Sequence, residues 1–143
     1  MIVIASDHAG FELKENLKKW LFKKEIYVYD VGAYVLDGDD SYVDYAKNAV
    51  RYFTKNCDVN EDVLLLICGS GVGMSIVANR NTKIRAVLAY DKIQAEQGKA
   101  HNNCNCLCLG ARNTSPLSAK HILETFLSTK FLGGKHKKRI DSI

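Results

Sequence analysis

The segment Asp62-Val-Leu-Leu-Leu-Ile-Cys-Gly-Ser-Gly-Val-Gly-Met74 joins an unbroken apolar run to glycines at alternate positions. Val63 to Ile67 is rich in β-formers and reads as a strand buried on both faces. The run stops at Cys68, Gly69, Gly71 and Gly73 follow, and Ser75 to Asn79 reads as a short helix. A strand, a glycine turn and a helix start form a cradle for an oxyanion. Glycine lets a ligand approach the backbone, and the helix start offers unpaired N–H groups and partial positive charge. Cys68 and Ser70 add a thiol and a hydroxyl to the same turn. Packing at a strand end is the plainer use of a cysteine, but it leaves Ser70 and the glycine spacing without a purpose.

Working outward, the remaining chain repeats the alternation. Ile2 to Ala5 is an apolar strand leading into Ser6-Asp7-His8-Ala9-Gly10. Phe11, Leu13, Leu17, Trp20 and Leu21 recur at helical spacing, which predicts a helix over 11–24 with its Lys and Glu residues on the surface. Strand Ile26 to Val31 precedes a polar loop, Asp37-Gly-Asp-Asp40, and Ser41 is a candidate N-cap for a helix from Tyr42 to Asn56. Beyond the glycine turn come a strand over 84–90, a polar helix over 91–100 broken by His101-Asn-Asn103, and a strand over 106–109. Pro116 suits the first turn of a last helix, Leu117 to Thr129, and Gly133-Gly134 leads into a basic tail. Five strands alternating with helices specify an α/β, doubly wound (Rossmann-like or flavodoxin-like) single domain with a parallel sheet covered on both faces.

Composition is that of an ordinary globular chain: 143 residues, 47% apolar, 25% charged, net charge +4. No apolar run nears the ~20 residues that span a membrane, and the first residues carry no basic flank or cleavage site. A cytoplasmic protein without a membrane partner is expected. The basic run from Lys135 to Arg139 is short and lacks interleaved aromatics, so nucleic acid is not the expected partner. The five cysteines include no C-x-x-C pair, and Cys104, Cys106 and Cys108 read as reduced core thiols.

In parallel sheets ligands sit outside the carboxyl ends of the strands. Asp7-His8, Cys68 to Gly73, His101-Asn102 and Arg112 each fall just after a predicted strand, so all four are expected at one edge. Capping alone would account for Asp7, a helix-ending pair for His101-Asn102, and solvated charge for Arg112, Lys135 and Arg139.

Ala5-Ser-Asp-His-Ala-Gly-Phe-Glu-Leu-Lys14, Ile67 to Ser75, Lys83-Ile-Arg-Ala-Val87, His101-Asn102 with Asn105, and Leu109-Gly-Ala-Arg112 together resemble the type B ribose-5-phosphate isomerases. That family also holds the galactose-6-phosphate isomerase subunits, and the resemblance runs in order from Ile2 to about Ile143. It implies an aldose–ketose isomerase of the non-oxidative pentose phosphate pathway, acting on ribose 5-phosphate and ribulose 5-phosphate through a cis-enediolate without metal or cofactor. Carried over, Cys68 is the carbon base, Ser70 shuttles protons between oxygens, and the amides of Gly69, Gly71, Val72 and Gly73 hold the enediolate. His101, with Asp7, assists ring opening. His8, Arg112, Lys135 and Arg139 bind phosphate, the basic tail 130–143 contributing, while Tyr42 and Asn102 contact the sugar. A homodimer with shared sites is implied, often paired into tetramers.

The chemistry suits these roles. Removing a proton beside a carbonyl leaves an oxyanion that fixed amides stabilise. A thiolate serves as base where its surroundings favour the anion, and a helix start is one such place. Some positions depart from the pattern. Lys135 stands where a second phosphate arginine often sits, Val43 replaces a proline and Lys99 an arginine; some relatives carry a glutamate base in place of the cysteine at the position of Met74, so Cys68 is the only candidate base in the turn. Six-carbon substrates, allose or galactose 6-phosphate, are the first alternative, and a non-catalytic flavodoxin-like binding module is the second. A cysteine phosphatase needs arginine where Met74 stands, a phosphoacceptor domain needs Asp where Cys68 stands, and the glycines miss G-x-G-x-x-G.

Overall fold

A computed structural model describes residues 1–143. The strands are β1 (Ile2–Ser6), β2 (Val28–Asp30), β3 (Val63–Cys68), β4 (Ala86–Leu88) and β5 (Cys106–Gly110). The helices are α1 (Phe11–Lys23), α2 (Tyr42–Asn56), α3 (Val72–Ala78), α4 (Lys92–Asn102), α5 (Pro116–Ser128) and α6 (Lys135–Ile140), with a 3₁₀ turn at His8–Gly10. All pairings are parallel in the order β2-β1-β3-β5-β4. This is the doubly wound α/β arrangement that the alternation predicts.

Successive side chains of a strand point to opposite faces, so each buried strand feeds two cores. Ile2, Ile4, Leu65, Ile67, Leu107 and Leu109 pack against Leu13, Leu17 and Leu21 of α1 and Ile122, Leu123 and Phe126 of α5. Val3, Ala5, Leu64, Leu66, Cys68 and Cys106 pack against Ala46, Val50 and Phe53 of α2 and Met74 and Ala78 of α3. Full burial of such aliphatic side chains contributes about 1.5–3 kcal/mol each. β3 is buried at every position and lies between β1 and β5, with Ile2 beside Val63 and Cys68 beside Gly110.

Several boundaries differ from the sequence pattern. β2 and β4 are edge strands paired on one side only, and each shrinks to the three residues that meet a partner. α3 begins at Val72 rather than Ser75, because Gly71 adopts φ 77° and turns the chain directly into the helix. α4 runs on through His101 and Asn102, and the break falls at Asn103, whose left-handed φ of 44° closes the helix. Ser41 is the N-cap residue of α2, though its side chain makes no capping bond, whereas Ser115 accepts from the Ser118 N–H ahead of Pro116. Residues 135–140 form α6 instead of a loose tail: the Leu132 N–H donates to the Ala100 carbonyl at 3.0 Å, seating this helix beside α4. Lys14 is a correction of another kind. It is fully buried, its ammonium held by Asp30 at 2.7 Å and the Ala33 carbonyl at 2.6 Å.

All five cysteines are free, and Cys104, Cys106 and Cys108 are buried core thiols as expected. Burial pushes the Cys104 thiol up to about 11 and Cys106 well above its ordinary value, so both stay protonated and inert. No helix is long and apolar enough to cross a membrane.

Candidate active site

From β1 the chain crosses to β2 on one side, while β3 lies on the other, so the crevice outside their carboxyl ends is a topological switch point. β3 delivers Cys68 there as its last residue, buried toward α2 and α3. The Gly71 N–H donates to Cys68 Sγ at 3.1 Å, and Ser70 Oγ accepts from the Val72 N–H at 3.3 Å. The Tyr90 hydroxyl fixes the turn from outside by donating to the Ser70 carbonyl at 2.9 Å. At Gly73 a side chain would run into the Tyr42 ring, so Tyr42, the first residue of α2, stands directly over the start of α3.

Arg112 reaches the same turn from the loop after β5. Its N–H donates to the Gly69 carbonyl at 3.0 Å, and its guanidinium carbon lies 3.0 Å from where a Gly69 side chain would begin. From the end of β1, Asp7 is buried and its Oδ1 accepts from the Gly10 N–H at 3.0 Å, so the capping role is real. Burial is the main cause that holds its carboxyl above the usual carboxylate range. Next to it, His8 Nδ1 lies 2.6 Å from Asp40 Oδ1. One chain therefore brings Cys68, Ser70, Gly69, Gly71, Val72, Gly73, Asp7, His8, Tyr42 and Arg112 to a single edge.

His101, Asn102, Lys135 and Arg139 are not at that edge, which corrects the expectation that His101-Asn102 follow a strand. They occupy the last turn of α4 and the helix α6, at the amino end of β5. Arg85, just before β4, donates through Nε to the carbonyls of Asn102 at 3.1 Å and Asn103 at 3.0 Å. The four residue steps of β5 alone separate the two edges by about 13 Å at the usual strand rise. The His101 ring stacks on His136 of α6, centroids 4.4 Å apart and planes within 4°. Burial, then the neighbouring His101, lowers the pKa of His136. Lys99 turns inward and donates to the Cys104 carbonyl at 3.3 Å, so the missing arginine there leaves a packed side chain.

Two residues escape the sequence reading: His136, buried in what reads as a charge run, and Asp40, one of three aspartates in a polar loop. For Asp40 no local signal exists, since its partner His8 lies 32 positions away.

The fold agrees with that of known proteins. A family model described as Ribose/Galactose Isomerase matches residues 2–143. A crystal structure of a ribose 5-phosphate isomerase from Thermotoga maritima is 46% identical, superposing with a TM-score of 0.91 over 99% of this chain and 94% of that one. The ribose-5-phosphate isomerase B of Mycoplasma genitalium, solved with bound ribulose-5-phosphate, is 36% identical with a TM-score of 0.93 over 99% of this chain and 91% of that one. Ribose-5-phosphate isomerase B of Escherichia coli is 34% identical over 142 residues, 99% of this chain and 93% of the relative.

Proposed function

The chain belongs to the ribose/galactose isomerase family, and from that premise we propose that it interconverts ribose 5-phosphate and ribulose 5-phosphate through a cis-enediolate. The observation that carries the reading is the thiol of Cys68 at the lip of the amide turn, with the Gly71 N–H aimed at its sulfur and the guanidinium of Arg112 over Gly69. Acting as thiolate, Cys68 takes the C2 proton of the open-chain aldose and returns it to C1. The charge that develops on oxygen is met by the turn amides, each such donor being worth roughly 3 kcal/mol. Ser70 passes the hydroxyl proton from O2 to O1. His8 and Arg112 hold the phosphate with charge-assisted donors, and Tyr42 lines the sugar.

Ring opening falls to His101, with Asp7 opposite, and the remaining phosphate cations, Lys135 and Arg139, sit beside it on α6. Because those groups lie at the far edge of their own sheet, we assign them to the site of a second copy, in a homodimer. Val72 and Ile76, one turn apart on the outer face of α3, are exposed apolar residues next to the catalytic turn and support a surface covered by another chain. On this reading residues 1–143 are one sugar-phosphate isomerase domain whose segment 130–143 serves the neighbouring site. Five unpaired thiols suit a reducing cytoplasm.

The test is isomerisation of ribose 5-phosphate in EDTA, wild type beside Cys68→Ala, with allose and galactose 6-phosphates run as competing substrates. We expect turnover to survive chelation, to fall by about 10²–10⁴ in the variant, and to favour the five-carbon sugar. A fully active variant would remove Cys68 as the base; a higher kcat/KM for a six-carbon sugar would reassign the substrate.

A further inference from the structure

We propose that Asp40 is the positioning residue of the phosphate-binding imidazole: it clasps His8 by backbone and ring at one oxygen, leaving Nε2 as the nitrogen offered to the substrate's phosphate. This rests on the isomerase reading and adds to it a residue outside the motifs that carry the family resemblance.

The clasp is geometric. The His8 backbone N–H donates to Asp40 Oδ1 at 2.9 Å, and ring Nδ1 meets the same oxygen at 2.6 Å. The Asp40 side chain is only 7% exposed, while that of His8 is 33% exposed, so one edge of the ring is locked and the other is open. Asp40 Oδ2 is buried, the Tyr45 phenol is the other titratable group facing this carboxylate, and no salt bridge to a lysine or arginine competes for it. A histidine whose Nδ1–H is held by a carboxylate keeps a fixed tautomer and orientation.

The charges around the ring point the same way. The Asp40 hydrogen bond is the largest cause raising the pKa of His8; desolvation opposes it, Asp7 and Asp40 add to it by charge, and Arg112 across the crevice works against it. The site thus favours the imidazolium, the form that donates to a phosphoryl dianion. The sign follows: the contribution of His8 to phosphate binding is present below its raised pKa and is lost as pH rises through it. Without the Asp40 charge that loss comes at lower pH. An asparagine at position 40 keeps the shape and the accepting oxygen but drops the charge, so it separates this role from simple anchoring of the loop.

The experiment measures kcat and KM for ribose 5-phosphate against pH in wild type, Asp40→Asn and Asp40→Glu. The His8 ring is followed by NMR in the same proteins, with inorganic phosphate as a second probe. We expect Asp40→Asn to raise KM about tenfold, to leave kcat within about twofold, and to move the basic limb of kcat/KM and the His8 titration to lower pH. Asp40→Glu should recover part of both. An unchanged KM and basic limb in Asp40→Asn would overturn the proposal, as would a fall in kcat at constant KM. If the wild type does not isomerise ribose 5-phosphate, the isomerase reading fails by itself. The clasp then stands or falls on whether His8 titrates lower, and binds phosphate more weakly, in Asp40→Asn.

Discussion

At the scale of single residues the site is a matter of small distances. Gly71 sits at φ 77°, and a side chain there would come within 2.9 Å of the Leu109 backbone and press on Leu88. A left-handed conformation costs a non-glycine residue about 1–2 kcal/mol, and the backbone contact adds to it. Gly71→Ala should therefore lower the urea midpoint and, by dragging the Gly71 N–H off Cys68 Sγ, reduce kcat more than it raises KM. A variant with wild-type kcat would show that this amide has no part in the chemistry. The same local character made Cys68, Ser70 and Arg112 readable from sequence, since a strand end followed by its own turn is encoded in consecutive residues. Asp40 was not readable. Its meaning depends on a loop folding back onto β1, and one aspartate in Asp37-Gly-Asp-Asp40 looks like the next.

Helices and strands add relations that periodicity does not encode. In α1, Lys14 and Lys18 both reach Asp30 Oδ2 of β2, at 2.7 and 2.6 Å, yet Lys14 is fully buried and Lys18 is 31% exposed. Truncating a buried partner strands a charge and costs about 3–5 kcal/mol, whereas an exposed pair contributes about 0–1 kcal/mol. Lys14→Ala is expected to unfold at much lower urea than Lys18→Ala, and equal midpoints would mean that water reaches Asp30. On the sequence Lys14 passes for one of many surface lysines by its charge alone, although Leu17 and Leu21 on the same helix face are fully buried. A similar blindness misplaced His101-Asn102. α4 is a polar helix with small buried residues, Ala95, Gly98 and Ala100, so no strong apolar stripe marks where it ends. The end is set by the left-handed Asn103, two residues beyond the expected break.

For the molecule as a whole, that misplacement is the reason the proposed site calls for a second copy. Cys68 and His101 lie at opposite edges of one sheet, so the roles proposed for them predict that one chain lends its α4–α6 edge to the turn of another. Two inactive variants can decide this. Let Cys68→Ala and His101→Ala be unfolded together at equal amounts and refolded. In a two-fold dimer half of the assemblies pair unlike chains, and in each of those one site has neither group while the other has both. Activity should therefore return to about a quarter of the wild-type level if each site is built across the two-fold axis. If each chain builds its own site, every site in the mixture lacks one group and activity stays at the level of the separate variants. The same logic extends to α6. A Lys135→Ala chain mixed with Arg112→Ala should regain low KM in a fraction of sites, because the two cations then come from different subunits. Recovery in the first mixture without any in the second would leave the shared site intact while removing Lys135 from phosphate binding.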